Sequence, residues 1–208
     1  MNSRFFSLPE EKQQIILNAG FHVFSRNTYK KSPMSEIADA AGISKALLFH
    51  YFHNKKELYL FLWDTCARIT VDEMERSGCY EQKDLFNSMN YGMQAKMRIT
   101  RQYPDMAFFA VKAFYEKDPE VSSDIQKSMA KYLSIHATRK LQELDPEEFI
   151  PGIDLNMMYK EMYWASEGYL WEYLQRGNLN FDEMERGFQN LLDFWKSVYL
   201  RKTEENPV

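Results

Sequence analysis

Apolar residues recur every three or four positions along most of the chain, and no convincing strand pattern is found. Ile15, Ile16, Ala19, Val23 and Phe24 predict a helix to about Arg26, opened by a capping box of Ser7 and Glu10 and stopped near Asn27. Leu58, Leu62 and Ile69 mark a long helix that starts after Asn54, reaches about Met74 and breaks at Gly78. Asp84–Gln102 carries Leu85, Met89, Met93 and Met97 on one face. Pro104 opens Asp105–Lys117, dense in Phe108, Phe109, Val111, Phe114 and Tyr115. Pro119 opens a helix to about Leu144, with Ile125, Met129, Tyr132, Leu133 and His136 on one side. Asp145-Pro146 and Pro151-Gly152 punctuate a connection with room for a short helical turn. Asp154 caps a helix that runs to Arg176 and ends at Gly177-Asn178. Asn180 or Asp182 caps a last helix to about Lys202, and Thr203–Val208 are expected to fray. The pattern predicts an all-α protein of about nine helices.

One stretch, Ser32 to Phe52, organises the rest. Ser32 is placed to cap a helix whose first position is Pro33, where a missing N–H costs nothing. Ile37, Ala38 and Ala41 share a face, and small Ala38 lets a second helix lie close. Gly42 stands where a left-handed residue ends a helix without Cβ strain, and Ile43 can close that turn. Ser44 then caps a second helix whose Leu48 and Phe52 form its apolar side, with Lys45, Leu47, His50 and Tyr51 on the others. Two short helices around a glycine turn, the second basic and aromatic, make a helix-turn-helix.

Charge sharpens this picture. The net charge of −4 hides eight Lys/Arg against five acids in residues 1–60, which leaves 18 basic against 25 acidic groups in the remainder. A head of +3 on a body of −7 suits a domain that meets phosphates while the body is repelled. The two cysteines, Cys66 and Cys79, lie thirteen apart without His or Cys at metal spacing and read as ordinary thiols. The N-terminus lacks a signal pattern and no apolar run approaches bilayer length, so the expectation is a cytoplasmic protein without membrane attachment. No glycine-rich phosphate loop, metal cluster or nucleophile motif is found, so neither an enzyme nor a cofactor is expected.

The run Ile37-Ala38-Asp39-Ala40-Ala41-Gly42-Ile43-Ser44-Lys45, followed by Leu48-Phe49-His50-Tyr51-Phe52 and Asn54-Lys55-Lys56-Glu57-Leu58, resembles the N-terminal domain of the TetR family of bacterial transcriptional regulators. The resemblance spans roughly residues 7 to 60 and implies a three-helix reading head, residues 1–56, on a helical regulatory and dimerisation body, residues 57–208. It also implies that Ser44–Phe52 enters the major groove of an operator duplex. On that basis Lys45 contacts guanine edges or phosphate, Ala46 and Leu47 face the groove, and His50 and Tyr51 contact bases or phosphates. Leu47 stands where the family often has a small polar residue, and is expected against a thymine methyl. Phe49 replaces the family's usual Tyr and loses a hydroxyl for phosphate. Ser32 and Lys55 are expected at phosphates, at helix N-termini where the dipole assists.

The body offers an interface and a pocket. The helix Asp154–Arg176 is apolar almost all round. Leu155, Met158, Met162, Ala165, Tyr169 and Tyr173 are taken as its inner face. Met157, Trp164 and Trp171, among polar residues and Gly168, are taken as a subunit interface, with Met184, Phe188, Leu191 and Trp195 of the last helix as the partner stripe. The resemblance implies the same homodimer, a four-helix bundle of the last two helices. Met89, Met93, Met97, Phe108, Phe109, Tyr132, His136, Met158, Tyr159, Met162 and Tyr163 are candidate walls for an apolar or aromatic small molecule. The expected function is a repressor released from a palindromic operator by such an effector. The rival reading is a DNA-binding protein with no small effector, whose body contacts a protein partner.

Overall fold

The structure is a computed structural model that describes residues 3–136, 143–177 and 179–202. Among these residues are ten α-helices: α1 (Ser3–Phe6), α2 (Glu10–Arg26), α3 (Met34–Ala40), α4 (Lys45–Tyr51), α5 (Lys55–Ser77), α6 (Leu85–Gln102), α7 (Met106–Phe114), α8 (Ser122–His136), α9 (Leu155–Arg176) and α10 (Phe181–Tyr199). A 3₁₀ turn at Pro146–Glu148 fills the expected connection, and the described residues contain no strand. The expected extension of α8 to Leu144 crosses residues 137–142, and the expected fraying covers 203–208; both lie outside the described residues.

Most helix ends follow from their local chemistry. Gly42 adopts φ +66°, and Ile43 N–H donates to the Ala38 carbonyl at 3.0 Å while Gly42 N–H donates to Asp39 at 3.1 Å. That pair of bonds is the Schellman closure expected of a glycine followed by an apolar residue. Ser44 Oγ accepts from Leu47 N–H at 3.1 Å, Asp154 from Asn156 and Met157, and Asn180 from Glu183. Two expected caps are not formed. Ser7 Oγ donates back to the Arg4 carbonyl at 2.7 Å, and α2 begins after Pro9 with no side-chain cap. Ser32 Oγ likewise donates to the Thr28 carbonyl at 3.0 Å, and α3 begins after Pro33.

By contact the chain divides into two units, Met1–Asp72 with Arg98–Ser134, and Glu73–Met97 with Ile135–Val208. The grouping differs from a cut after residue 56, because α7 and Ile125 of α8 share one buried core with the first five helices. The Phe109 ring lies 5.5 Å from Phe21, 5.2 Å from Tyr59 and 6.1 Å from Phe24. Polar side chains at every fourth position of α2 hold the corner between α6 and α7. Gln14 and Asn18 each donate to the Gln102 carbonyl at 3.1 Å, while Asp105 faces His22 at 2.9 Å and Arg26 at 3.1 Å. Spacing of four places all of them on one helical face.

In the second unit α9 and α10 pack through Met158, Met162, Tyr173, Met184, Phe188 and Trp195, all buried. Tyr169 O–H donates to the Met184 carbonyl at 2.7 Å, over Gly187, where a Cβ would meet that hydroxyl. The end of α10 is tied down by an isolated antiparallel bridge: Ile150 N–H donates to Tyr199 O and Arg201 N–H to Glu148 O, both at 2.9 Å.

Candidate nucleic-acid interface

The interface is built on α4. Leu48 and Phe52 are both fully buried, so the helix is fixed by one side. At 100° per residue Ala46 and His50 then lie opposite that side, flanked by Leu47 and Phe49. Lys45, Ala46, Leu47, Phe49 and His50 are all exposed. The amphipathic pattern thus leaves a projecting face with one cation, one imidazole and two large apolar groups. Lys45 Nζ lies 5.9 Å from the Phe49 ring centroid, a cation–π approach that orients the ammonium at the start of the helix. Tyr51 is half-buried, with its ring edge-on to Phe5 at 6.4 Å between centroids.

The α3 N-terminus carries a correction. Ser32 is fully buried with its hydroxyl committed to Thr28, so it offers no group to a phosphate. Lys55 is also engaged. Its Nζ donates to the Lys30 carbonyl at 3.2 Å and sits 4.6 Å from the Tyr29 ring centroid. Burial and the Glu120 carboxylate push the Tyr29 phenol well above its usual range, so the cation meets a neutral ring. Tyr29 N–H donates to Glu116 at 2.8 Å, which fastens the segment before α3 to the end of α7. Lys30 and Lys31 of this segment are both exposed. Sequence reasoning missed Arg4, whose Nη1 lies 3.2 Å from His50 Nδ1; a four-residue helix is shorter than any periodicity window.

The body residues separate in the same way. On α9, Met157, Trp164 and Trp171 are 56%, 61% and 36% exposed, and Gly168 is exposed too. Met184, Phe188 and Trp195 are instead each 1% exposed, sealed inside their own unit, and Leu191 is half-buried. The apolar surface that α10 retains is Phe194 and Val198. Among the pocket candidates Phe109 is a core residue of the first unit, and Phe108 belongs to that unit too. Met93, Met97, Met158 and Met162 are buried in the second unit, with Tyr159 half-buried and its phenol raised by burial, and Tyr163 exposed. Lys96 is paired with Glu167 there, its Nζ 5.7 Å from the Tyr163 ring centroid. The side chains of Tyr132 and His136 lie outside the described residues. Among the described residues no group of three or more His, Cys, Asp or Glu is placed to hold a metal, and no helix is long and apolar enough to cross a membrane.

The sequence profile described as "Bacterial regulatory proteins, tetR family" matches residues 16–61, which span α2, α3, α4 and the start of α5. The transcriptional activator FasR of Mycolicibacterium smegmatis is 43% identical over 60 residues, 28% of this chain and 27% of that protein, so the likeness covers about a quarter of its length. The transcriptional regulator RutR of Escherichia coli O157:H7 is 24% identical over 147 residues, 67% of this chain and 68% of that one. A TetR family transcriptional regulator from Chloroflexus aurantiacus J-10-FL has the same fold, with a TM-score of 0.66 over 96% of this chain and 98% of that one at 19% identity.

Proposed function

The chain belongs to the TetR family of bacterial regulatory proteins, and we propose that it is a sequence-specific DNA-binding transcriptional regulator whose homodimer reads a palindromic operator. The observation that carries this reading is α4: a helix capped by Ser44, anchored by Leu48 and Phe52, and exposing Lys45, Ala46, Leu47, Phe49 and His50. Such a helix fits the major groove with its N-terminal residues toward base edges. The exposed Met157, Trp164 and Trp171 of α9, with Phe194 and Val198 of α10, supply the face for a second copy. Two heads held at a fixed spacing match a two-fold symmetric site.

The buried methionines and Tyr159 in the second unit support an apolar or aromatic effector, since thioethers adapt their shape to a guest and a phenol offers a polar tip. An effector that binds the released spacing better than the DNA-bound one lowers operator affinity by that difference. Repression is the expected sign, and a promoter–reporter assay scored in both directions tests it. The test of the whole reading is selection of duplexes from a random pool by the purified chain. Recovery of a palindrome supports it; recovery of no motif at low salt removes it. Mass in solution separates a homodimer from a body that awaits a different protein.

A further inference from the structure

The first helical turn does not trail from the head. Phe5 is 1% exposed, with its ring 5.3 Å from Phe52, 5.2 Å from Phe61 and 6.4 Å from Tyr51. This anchor fixes the neighbouring Arg4, an exposed residue whose Nη1 lies 3.2 Å from His50 Nδ1. A guanidinium only donates, so Nδ1 must be the acceptor and the neutral imidazole carries its proton on Nε2. Of the two residues facing directly away from Leu48 and Phe52, Ala46 has no polar side-chain atom, which leaves His50 as the polar group at the centre of that face. We propose that α1 is part of the reading surface and that Arg4 is a positioning residue, which holds His50 as a hydrogen-bond donor to a base edge. In the major groove guanine, adenine and thymine each present an acceptor, whereas cytosine presents only its amino donor. The base read by His50 is therefore any base except cytosine. This rests on α4 being the recognition helix.

The test uses the full chain and the operator recovered by selection, with each position varied through all four bases. The wild type discriminates against cytosine at one position per half-site by about tenfold, the scale of one well-placed base contact. Arg4→Ala and His50→Ala each reduce that discrimination to about threefold or less, and the double variant relaxes it no further, as expected of residues acting through one contact. Phe5→Ala keeps the guanidinium but removes its anchor, and relaxes the same position; thermal unfolding checks that each variant is folded. If Arg4→Ala instead weakens all duplexes equally and lowers the salt slope by about one, with or without His50→Ala, Arg4 is an independent phosphate contact and the positioning role is refuted. A motif recovered by the wild type and read identically by Arg4→Ala also refutes it while leaving the recognition helix standing. No motif from the wild type removes the recognition helix itself.

Discussion

Gly20 sits in the middle of α2, and its position opposite α5 gives a prediction whose sign can be worked out. A Cβ built there lies 2.6 Å from Leu62 Cδ1, 3.3 Å from Cδ2 and 3.5 Å from Cγ. Carbon atoms rest at about 3.5–4.0 Å, so α2 and α5 must part by roughly 1 Å or Leu62 must leave its rotamer. Turning the isobutyl group gives little relief, since all three near atoms belong to one branched side chain that is fully buried. Overpacking of this kind costs about 1–3 kcal/mol, against a gain of about 1 kcal/mol for replacing glycine by alanine inside a helix. Gly20→Ala should therefore destabilise the chain by about 1 kcal/mol. With Leu62→Ala present the obstruction is gone, and the same substitution should stabilise by up to about 1 kcal/mol. Urea unfolding followed by circular dichroism at one fixed protein concentration measures all four members of the cycle. If Gly20→Ala stabilises the chain carrying native Leu62, the close approach of α2 and α5 is refuted.

Trp164→Glu should leave folding intact, because the indole is 61% exposed, but should convert the proposed homodimer to monomer in analytical ultracentrifugation; an unchanged mass would move the interface elsewhere. Ser44→Ala removes the acceptor for Leu47 N–H and should cost about 1 kcal/mol of stability, with a parallel loss of operator affinity measured by fluorescence anisotropy. Leu47→Ala should change operator preference, whereas Lys30→Ala and Lys31→Ala should weaken all duplexes alike and lower the salt slope by about one each. Lys55→Ala should weaken all duplexes and also lower the melting temperature, since Lys55 holds Lys30 O and the Tyr29 ring; a purely electrostatic effect would leave the melt unchanged.

The parts legible in the sequence were those written in neighbouring residues. Gly42 with Ile43 encodes a turn by its φ requirement and its apolar closure, and Ser44, Asp154 and Asn180 meet N–H groups two or three positions ahead. Where a hydroxyl has a backward partner the same signature misleads: Ser7 and Ser32 sit at the expected distance before a helix, yet each bonds a carbonyl three or four residues earlier. Distance along the chain hides the rest. Phe109 was read as a pocket wall because an aromatic at helical spacing carries no record of its partner, and Phe21 lies 88 positions away.

The two stripes on α9 and α10 show the physical limit most directly. Periodicity shows that a helix has an apolar face; it does not distinguish burial by the same chain from burial by another. Trp164 and Trp195 are the same residue on comparable stripes, yet one is 61% exposed and the other 1%. What separates them is α9 itself, which is apolar on two sides while α10 is apolar mainly on one. The first apolar side of α9 is satisfied by α10, through Tyr169 over Gly187 and its bond to Met184 O. The second carries Met157, Trp164 and Trp171, all exposed, and two tryptophans with a methionine are a large apolar surface to leave in water. A helix that leaves apolar surface exposed in its own chain is one that a second copy can meet, and the homodimer we propose would form on Met157, Trp164 and Trp171 of α9.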